Sequence, residues 1–583
     1  MLELRDVTLF VGSGENTRPL LADVSATFPR GHFAAVIGPS GCGKSTLLKT
    51  ILGVAHGHEE GQIFWNGRNL VEEDFSPSEI GYVPQFSIAH DELTVRECVV
   101  YAAQLRIKGL TLDQEDEIVS RVLNEVGMAE FSDRVVKVIS GGQKRRLALA
   151  MELASAPAML LCDEVTSGLD PQSEDEIVRL LHELSRKDGR LIVSVTHSLR
   201  HLDLYDSVLV LSKGSLAYHG PPEHLAHYFR CEDPSELYAQ LEAREPKEWS
   251  QSWNKHGSAF EVPVAAEPPV PEPEPEVSEE STNPESVATP KEERSTDECI
   301  PSWFSQFLTL TGRRFKIFSR NRTQILLQLG LILGFPILVA IFAWNGLPAV
   351  KNQTMGLDAN VLQQVEEKTR FLMEASKIGS LVSGIVMFQV ILLTLMAANN
   401  SGREIAAERL VFEKEKLSGL RPLAYVGSKI AFLSLLILAQ SLWMGLFVHF
   451  VCGFPGDLPT QLAFLLMVNA AMTSICLAIS SLMATAEQAS LVSIYLVGFQ
   501  LPLSGAVLAL PAWVEKVTQP FIAAYWSWSG VLQTLKGERY YDIVQTVIQT
   551  QLSPATLCFW VLSSHIIIGI FAAWLGCQRS RLE

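Results

Sequence analysis

Long apolar runs free of charged side chains occur in this 583-residue sequence only after Gln324, and that asymmetry restricts the fold more than any other feature. A helix that crosses a bilayer needs about 20 mostly apolar residues, because hydrocarbon offers no partner for an unpaired backbone group. Six stretches meet that length, at about 324–344, 378–398, 430–451, 462–483, 489–510 and 556–576. Nothing before them does. From Leu2 to Glu242, short Val/Ile/Leu runs such as Phe33–Ile37, Met159–Cys162 and Leu191–Val195 alternate with polar helical stretches. This is the pattern of an α/β domain with a largely parallel sheet. The expectation is therefore an α/β domain over 1–242 and an all-α domain of six spans over 323–583.

Between the two, 243–300 is expected to be a disordered linker: Pro263 to Pro290 is rich in Pro, Glu and Ser and buries too little to offset the entropy of ordering. The net charge of −17 argues against a nucleic-acid partner, and much of the acid sits in this Pro/Glu stretch. The nine cysteines show no paired CxxC spacing, so free thiols are expected. Met1 to Val11 alternates like a strand and has no basic-then-apolar leader, leaving insertion to the spans themselves. Over 301–322 an amphipathic helix is expected in the cytoplasmic interface. It would carry Trp303, Phe307 and Leu310 on one face, with Arg313, Arg314, Lys316 and Arg320 following.

The chemistry concentrates in the first domain. Gly38-Pro39-Ser40-Gly41-Cys42-Gly43-Lys44-Ser45-Thr46 follows an apolar strand and precedes a helical stretch, the context of a phosphate-binding loop. Its glycines let N–H groups curl around phosphate oxygens, Lys44 adds a point charge, and the Ser45 hydroxyl suits Mg²⁺. Met159–Glu164 reads as a buried strand ending in two carboxylates, Asp163 for the Mg²⁺ shell and Glu164 to polarise an attacking water. His197 follows the strand Leu191–Val195, where an imidazole reaches a γ-phosphate.

Ile139-Ser140-Gly141-Gly142-Gln143-Lys144-Arg145-Arg146 resembles the signature sequence of ATP-binding cassette proteins. Gln85 in Tyr82-Val83-Pro84-Gln85, Ser167-Gly168-Leu169-Asp170 and His197 resemble that family's remaining motifs. The resemblance implies an ATP site with Gln85 beside metal and water, and with Ser140, Gly141, Gly142, Gln143 and Asp170 among the nucleotide contacts. It also implies a dimer, since the signature of one subunit covers the γ-phosphate held by Lys44 of the other; a homodimer would have two complete sites. Ile139 and Val165 depart from the usual Leu and Pro, and Phe10 is the candidate for stacking on adenine.

The order of cassette first and spans second resembles the G subfamily of half-transporters and its bacterial relatives. Trp303 to Arg322 is similar to that subfamily's connecting helix, and Glu408 to Glu415 to its coupling segment. Ser504 to Val507, with Pro511 to Trp513, is similar to the end of its fifth span and the external re-entrant stretch. Implied is ATP-driven export of a lipid-like or amphipathic cargo. An ATP-gated channel and a non-transporting membrane regulator on the same cassette are the alternatives. A cytosolic ATP site puts both termini inside, in agreement with Arg579 and Arg581, with 345–377 and 511–555 outside and 399–429 inside. Within the spans Asn469, Gln500 and His565 are costly in lipid, so they suit helix–helix bonds or cargo contacts, and Pro502 is expected to kink the fifth span.

Overall fold

The computed structural model describes the chain except residues 13–16, 71, 74, 87, 188, 232–235, 258–259, 261–299, 350–360, 509 and 581–583. It divides into two compact units, Met1–Ser302 with Lys414–Leu420, and Trp303–Glu413 with Arg421–Arg581. Most of the expected linker, 261–299, lies outside the described residues.

In chain order the first unit contains β1 (Leu2–Val11), β2 (Arg18–Phe28), β3 (Phe33–Ile37), α1 (Lys44–Ile51), β4 (His58–Trp65), β5 (Arg68–Asn69), β6 (Ile80–Val83), α2 (Val95–Arg106), α3 (Leu112–Glu125), α4 (Gly141–Leu153), β7 (Met159–Asp163), α5 (Pro171–Lys187), β8 (Leu191–Val195), β9 (Ser207–Ser212), β10 (Ser215–Gly220), α6 (Leu225–Phe229), α7 (Leu237–Glu242) and α8 (Pro246–His256). One sheet runs β5-β4-β1-β2-β10-β9-β3-β8-β7-β6. Its β9-β3-β8-β7-β6 side is parallel, and β3, β6, β7 and β8 are buried throughout. Strands covered on both faces need continuous apolar runs, and that is how these read in the sequence. The expectation of a largely parallel sheet holds for that side only. β1 pairs antiparallel with both β2 and β4, and its mixed burial marks a half-solvated layer.

Two further features correct the expected boundary at 242. Residues 246–256 form α8, whose Trp249 and Trp253 are buried beside Tyr218 and Tyr228. Aromatic area is what lets this polar stretch order, with Pro246 in the first turn where a missing N–H costs nothing. Lys414–Leu420 also belongs to this unit, where Glu152 binds Arg106 and Lys414, each at 2.9 Å. Burial alone would raise the Glu152 carboxyl, but the Arg106 and Lys414 charges outweigh it and hold it at about 2.

The second unit is helical: α9 (Trp303–Arg320), α10 (Arg322–Ala340), α11 (Val361–Ser401), α12 (Arg409–Leu417, which continues into the first unit), α13 (Pro422–Cys452), α14 (Leu458–Leu482), α15 (Ala486–Gln500), α16 (Ala512–Thr518), α17 (Ala523–Gln533), α18 (Arg539–Val547) and α19 (Ala555–Arg579). Among the described residues five helical stretches, containing α10, α11, α13, α14 and α19, are long and apolar enough to cross a membrane. The fifth expected span, 489–510, instead folds as the 15-residue α15 followed by a 3₁₀ turn at Pro502–Ser504. Pro502 supplies no N–H to carry the helix onward.

The connecting segments are more ordered than their polarity suggests. α11 starts at Val361, within the expected external segment 345–377. The 511–555 stretch carries three helices, and α17 is buried from Ala523 to Leu532. α9 exists where expected but turns a different face inward. Gln306, Leu310, Arg313 and Ile317, spaced 4, 3 and 4, are buried, while Trp303, Phe304, Leu308 and Phe315 are exposed. Leu310 therefore packs inside rather than joining Trp303 on an interfacial face. Arg314 is buried too, over the Phe432 ring at 4.4 Å.

Candidate functional site

The parallel strands β3, β6, β7 and β8 all point the same way, so the loops leaving their carboxyl ends meet along one edge, where ligands bind in open α/β sheets. Four groups of the expected site residues arrive there. After β3 the chain turns through Gly38, Gly41 and Gly43, at φ +152°, +76° and +103°, and enters α1 at Lys44. At Gly38 a Cβ would sit 2.3 Å from the Leu211 carbonyl oxygen, so only glycine fits. The N-terminal amides of α1 at Ser45 and Thr46 are left without intrahelical acceptors and suit an anion. Lys44 is 4% exposed, and its Nζ donates to the carbonyls of Gly38 at 3.0 Å and Pro39 at 3.1 Å. A buried ammonium held by two neutral carbonyls keeps its charge available to a phosphate. Cys42 is buried beside it, and burial pushes its thiol up.

At the end of β7, Ser45 Oγ donates to Asp163 Oδ1 at 2.8 Å, and the Tyr82 hydroxyl lies 3.4 Å from Asp163 Oδ2. Burial raises the Asp163 carboxyl, the Ser45 bond opposes this, and the neighbouring Glu164 charge adds to it. Tyr82 was not among the expected site residues, although it sits three positions before Gln85. Burial and the Asp163 charge push its hydroxyl up.

Glu164 has φ +47°, a left-handed conformation that a side chain adopts only when its surroundings enforce it. Its amide donates to the Val195 carbonyl at 3.1 Å. Its carboxylate accepts from Gln85 Nε2 at 2.7 Å and lies 2.6 Å from His197 Nε2. Two residues, following β6 and β8, thus close on one carboxylate at the end of β7, a geometry able to orient a water against a phosphate.

The other expected residues pair among themselves. Ser140 caps α4 in a reciprocal box, its Oγ accepting from the Gln143 amide at 3.3 Å and its own amide donating to Gln143 Oε1 at 2.9 Å. Gly141 and Gly142 follow as the first residues of α4. Asp170 accepts from the Ser173 amide at 3.0 Å and hydroxyl at 2.7 Å, which holds its carboxyl below the ordinary range. Ser140, Gly142, Gln143 and Ser173 line an open cavity of about 250 Å³. Phe10 lies in β1, its backbone opposite Pro19 and His58.

The donor set suits a hard cation. Ser45 and Asp163 offer adjacent oxygens, and among the described residues no group of three or more His, Cys, Asp or Glu is arranged to hold a metal alone. A Mg²⁺ there would draw its remaining ligands from nucleotide and water.

Within the second unit the polar residues of the spans bond each other. Asn469 Nδ2 donates to Ser441 Oγ at 3.1 Å and lies 3.4 Å from Gln440 Oε1, while Gln500 Oε1 accepts from the Ala524 amide at 3.1 Å. These are helix–helix contacts. His565 is half-buried, its carbonyl 3.4 Å from Ser474 Oγ.

A phosphate-binding loop, two carboxylates ending a parallel strand and a capped Ser-Gly-Gly-Gln helix define an ATP-binding cassette, carried on the same chain as a helical membrane domain. The chain belongs to the ABC transporters: the ABC transporter family profile matches residues 21–167 and the ABC-2 type transporter profile matches 305–531. It is 28% identical over its whole length to the ABC transporter ATP-binding/permease protein Rv1747 of Mycobacterium tuberculosis, and spans 63% of that protein. It is 35% identical to the iron(3+)-hydroxamate import ATP-binding protein FhuC of Bacillus subtilis, over 36% of this chain and 80% of that one. Over 36% of this chain and 34% of the other, it is 33% identical to ATP-binding cassette sub-family G member 5 of Rattus norvegicus.

Proposed function

We infer that this chain hydrolyses ATP to drive transport across a membrane, as a dimer of half-transporters that exports a lipid-like or amphipathic molecule. The observation that carries the reading is the closure of Gln85 and His197 on Glu164 beside the Ser45–Asp163 pair. Lys44 and the loop amides bind the phosphates, Glu164 polarises the attacking water, and Gln85 and His197 hold that carboxylate in place. Ser45 and Asp163, with Gln85 nearby, would hold Mg²⁺, which when bound neutralises phosphate charge.

Ser140–Gln143 and Asp170 are exposed or half-exposed, and the Ser140–Gln143 and Asp170–Ser173 bonds hold them in place to meet a nucleotide held by a second cassette. ATP then favours the closed pair by its differential affinity, and hydrolysis removes that bias. The cassette is cytoplasmic in this reading, with six crossings in which α15 and its following turn form the short fifth. Export rests on the likeness to G-family half-transporters, and a lipid-like cargo on the apolar character of the spans.

The test is the ATPase rate of the purified chain reconstituted in lipid vesicles, with a panel of lipids and amphipathic drugs and Glu164→Gln as blank. Turnover at least about 100-fold above the blank, as expected for loss of a general base, with ATP still bound by the variant, supports the reading. Equal turnover in the two proteins refutes the role of Glu164.

A further inference from the structure

The loop that carries His197 is held at three points. The Thr196 amide donates to the Val36 carbonyl at 3.1 Å, tying the loop to β3. The His197 imidazole lies 2.6 Å from Glu164. The third point comes from outside the motifs: the Tyr238 hydroxyl donates to the His197 carbonyl at 3.2 Å. Tyr238 sits on α7, which is fixed by the wholly buried Leu237 and the nearly buried Leu241 on its inner face. The Tyr238 side chain is half-buried, and burial pushes its hydroxyl up, with a smaller contribution from Cys42 in the phosphate-binding loop.

We propose that Tyr238 is a positioning residue for ATP hydrolysis, holding the His197 main chain so that the imidazole stays aligned with Glu164; this rests on the ATPase reading above. A strand end followed by an exposed loop has few backbone partners of its own, and a side-chain hydroxyl on a packed helix supplies one without crowding the nucleotide. Nothing in the phosphate-binding, signature or carboxylate motifs marks this tyrosine, because it acts through a backbone oxygen and any sequence at 197 presents one. The placement also links hydrolysis to the segment that ends in α7 and α8, so movement there would be felt at His197.

The experiment is steady-state ATP turnover of the full chain in vesicles for wild type, Tyr238→Phe, His197→Ala and the double variant, with Glu164→Gln as blank. Tyr238→Phe removes one oxygen and no packing. It should lower kcat about three- to tenfold, the scale of one net hydrogen bond, and leave the KM for ATP unchanged. In the His197→Ala background the same change should cost nothing further, since residues acting through one another are not additive. Faster amide exchange across residues 196–200 should accompany it. Unchanged kcat, a raised KM with intact kcat, or a loss that adds in full to that of His197→Ala would each overturn the proposal. If wild type itself shows no turnover above the blank, the ATPase reading falls and this one with it. Normal wild-type turnover with an unaffected Tyr238→Phe removes the Tyr238 role alone.

Discussion

In the first unit the charged groups that matter meet at the ends of parallel strands: Lys44 rests on two neutral carbonyls that leave it open to an anion, and Glu164 is oriented by Gln85 and His197. In the second unit one set of buried polar side chains pairs within itself. Gln328 Nε2 donates to Asn400 Oδ1 at 2.7 Å, Asn400 Nδ2 to Gln440 Oε1 at 3.1 Å, and Gln440 Nε2 back to Gln328 Oε1 at 3.1 Å, closing a ring across α10, α11 and α13. Nearby, Arg314 meets Glu404 through Nε at 2.6 Å and Nη2 at 2.9 Å, and Lys429 lies 3.2 Å from the same carboxylate. All three are at most 9% exposed. A group kept provisionally paired is poised for chemistry, whereas a group fully paired inside the fold sets helix geometry.

The sharpest break in that comparison is Lys44→Ala. Loss of the charge proposed to meet phosphate should weaken ATP affinity by about 100-fold or more, since charge-assisted bonds contribute about twice what neutral ones do. Folding stability should not fall, because a buried cation with only neutral partners is removed rather than orphaned. Nucleotide titration and thermal unfolding of the same sample check both halves, and unchanged affinity would end the phosphate-loop reading. Arg314→Met should behave in the opposite way. It leaves Glu404 buried with Lys429 alone and should cost about 3 kcal/mol of stability, read by unfolding in detergent, while the cassette's ATP affinity stays at the wild-type value.

The same contrast explains which parts were legible in the sequence. Lys44, Ser45, Asp163, Glu164 and His197 stand next to strands so uniformly apolar that each element announces itself, and the ATP site proposed for them calls for those residue types. Tyr238 and Tyr82 escaped because one serves a backbone oxygen and the other a neighbouring carboxylate, tasks with no fixed spacing. In the second unit α17 was hidden by its length: 11 residues are too few for a span, and nothing in Ala523–Gln533 reveals that the bundle surrounds it. The inward face of α9 differs from the expected one because apolar spacing points to Trp303, Phe307 and Leu310, whereas a buried partner such as Glu404, 90 residues from Arg314 in sequence, brings that arginine inside. α8 was absorbed into the linker because two tryptophans in a polar stretch do not by themselves show what they pack against. Local chemistry writes a local signal, and pairing across long separations does not.

The smallest expected effect separates two buried amides that look alike. Gln440 is a full member of the ring, so Gln440→Leu leaves the Asn400 donor and the Gln328 acceptor unpaired and should cost about 1–2 kcal/mol. Asn469 is wholly buried, yet its contacts at 3.1 and 3.4 Å both come from its Nδ2, and its Oδ1 has no protein partner. A buried acceptor without a donor already costs the folded state, so Asn469→Leu should change stability by less than about 0.6 kcal/mol, in either direction. Paired unfolding measurements of the two variants decide the matter. Equal losses would mean that Asn469 finds a partner for its oxygen in the membrane, and that its contact with Gln440 across α13 and α14 contributes as much as a bond within the ring.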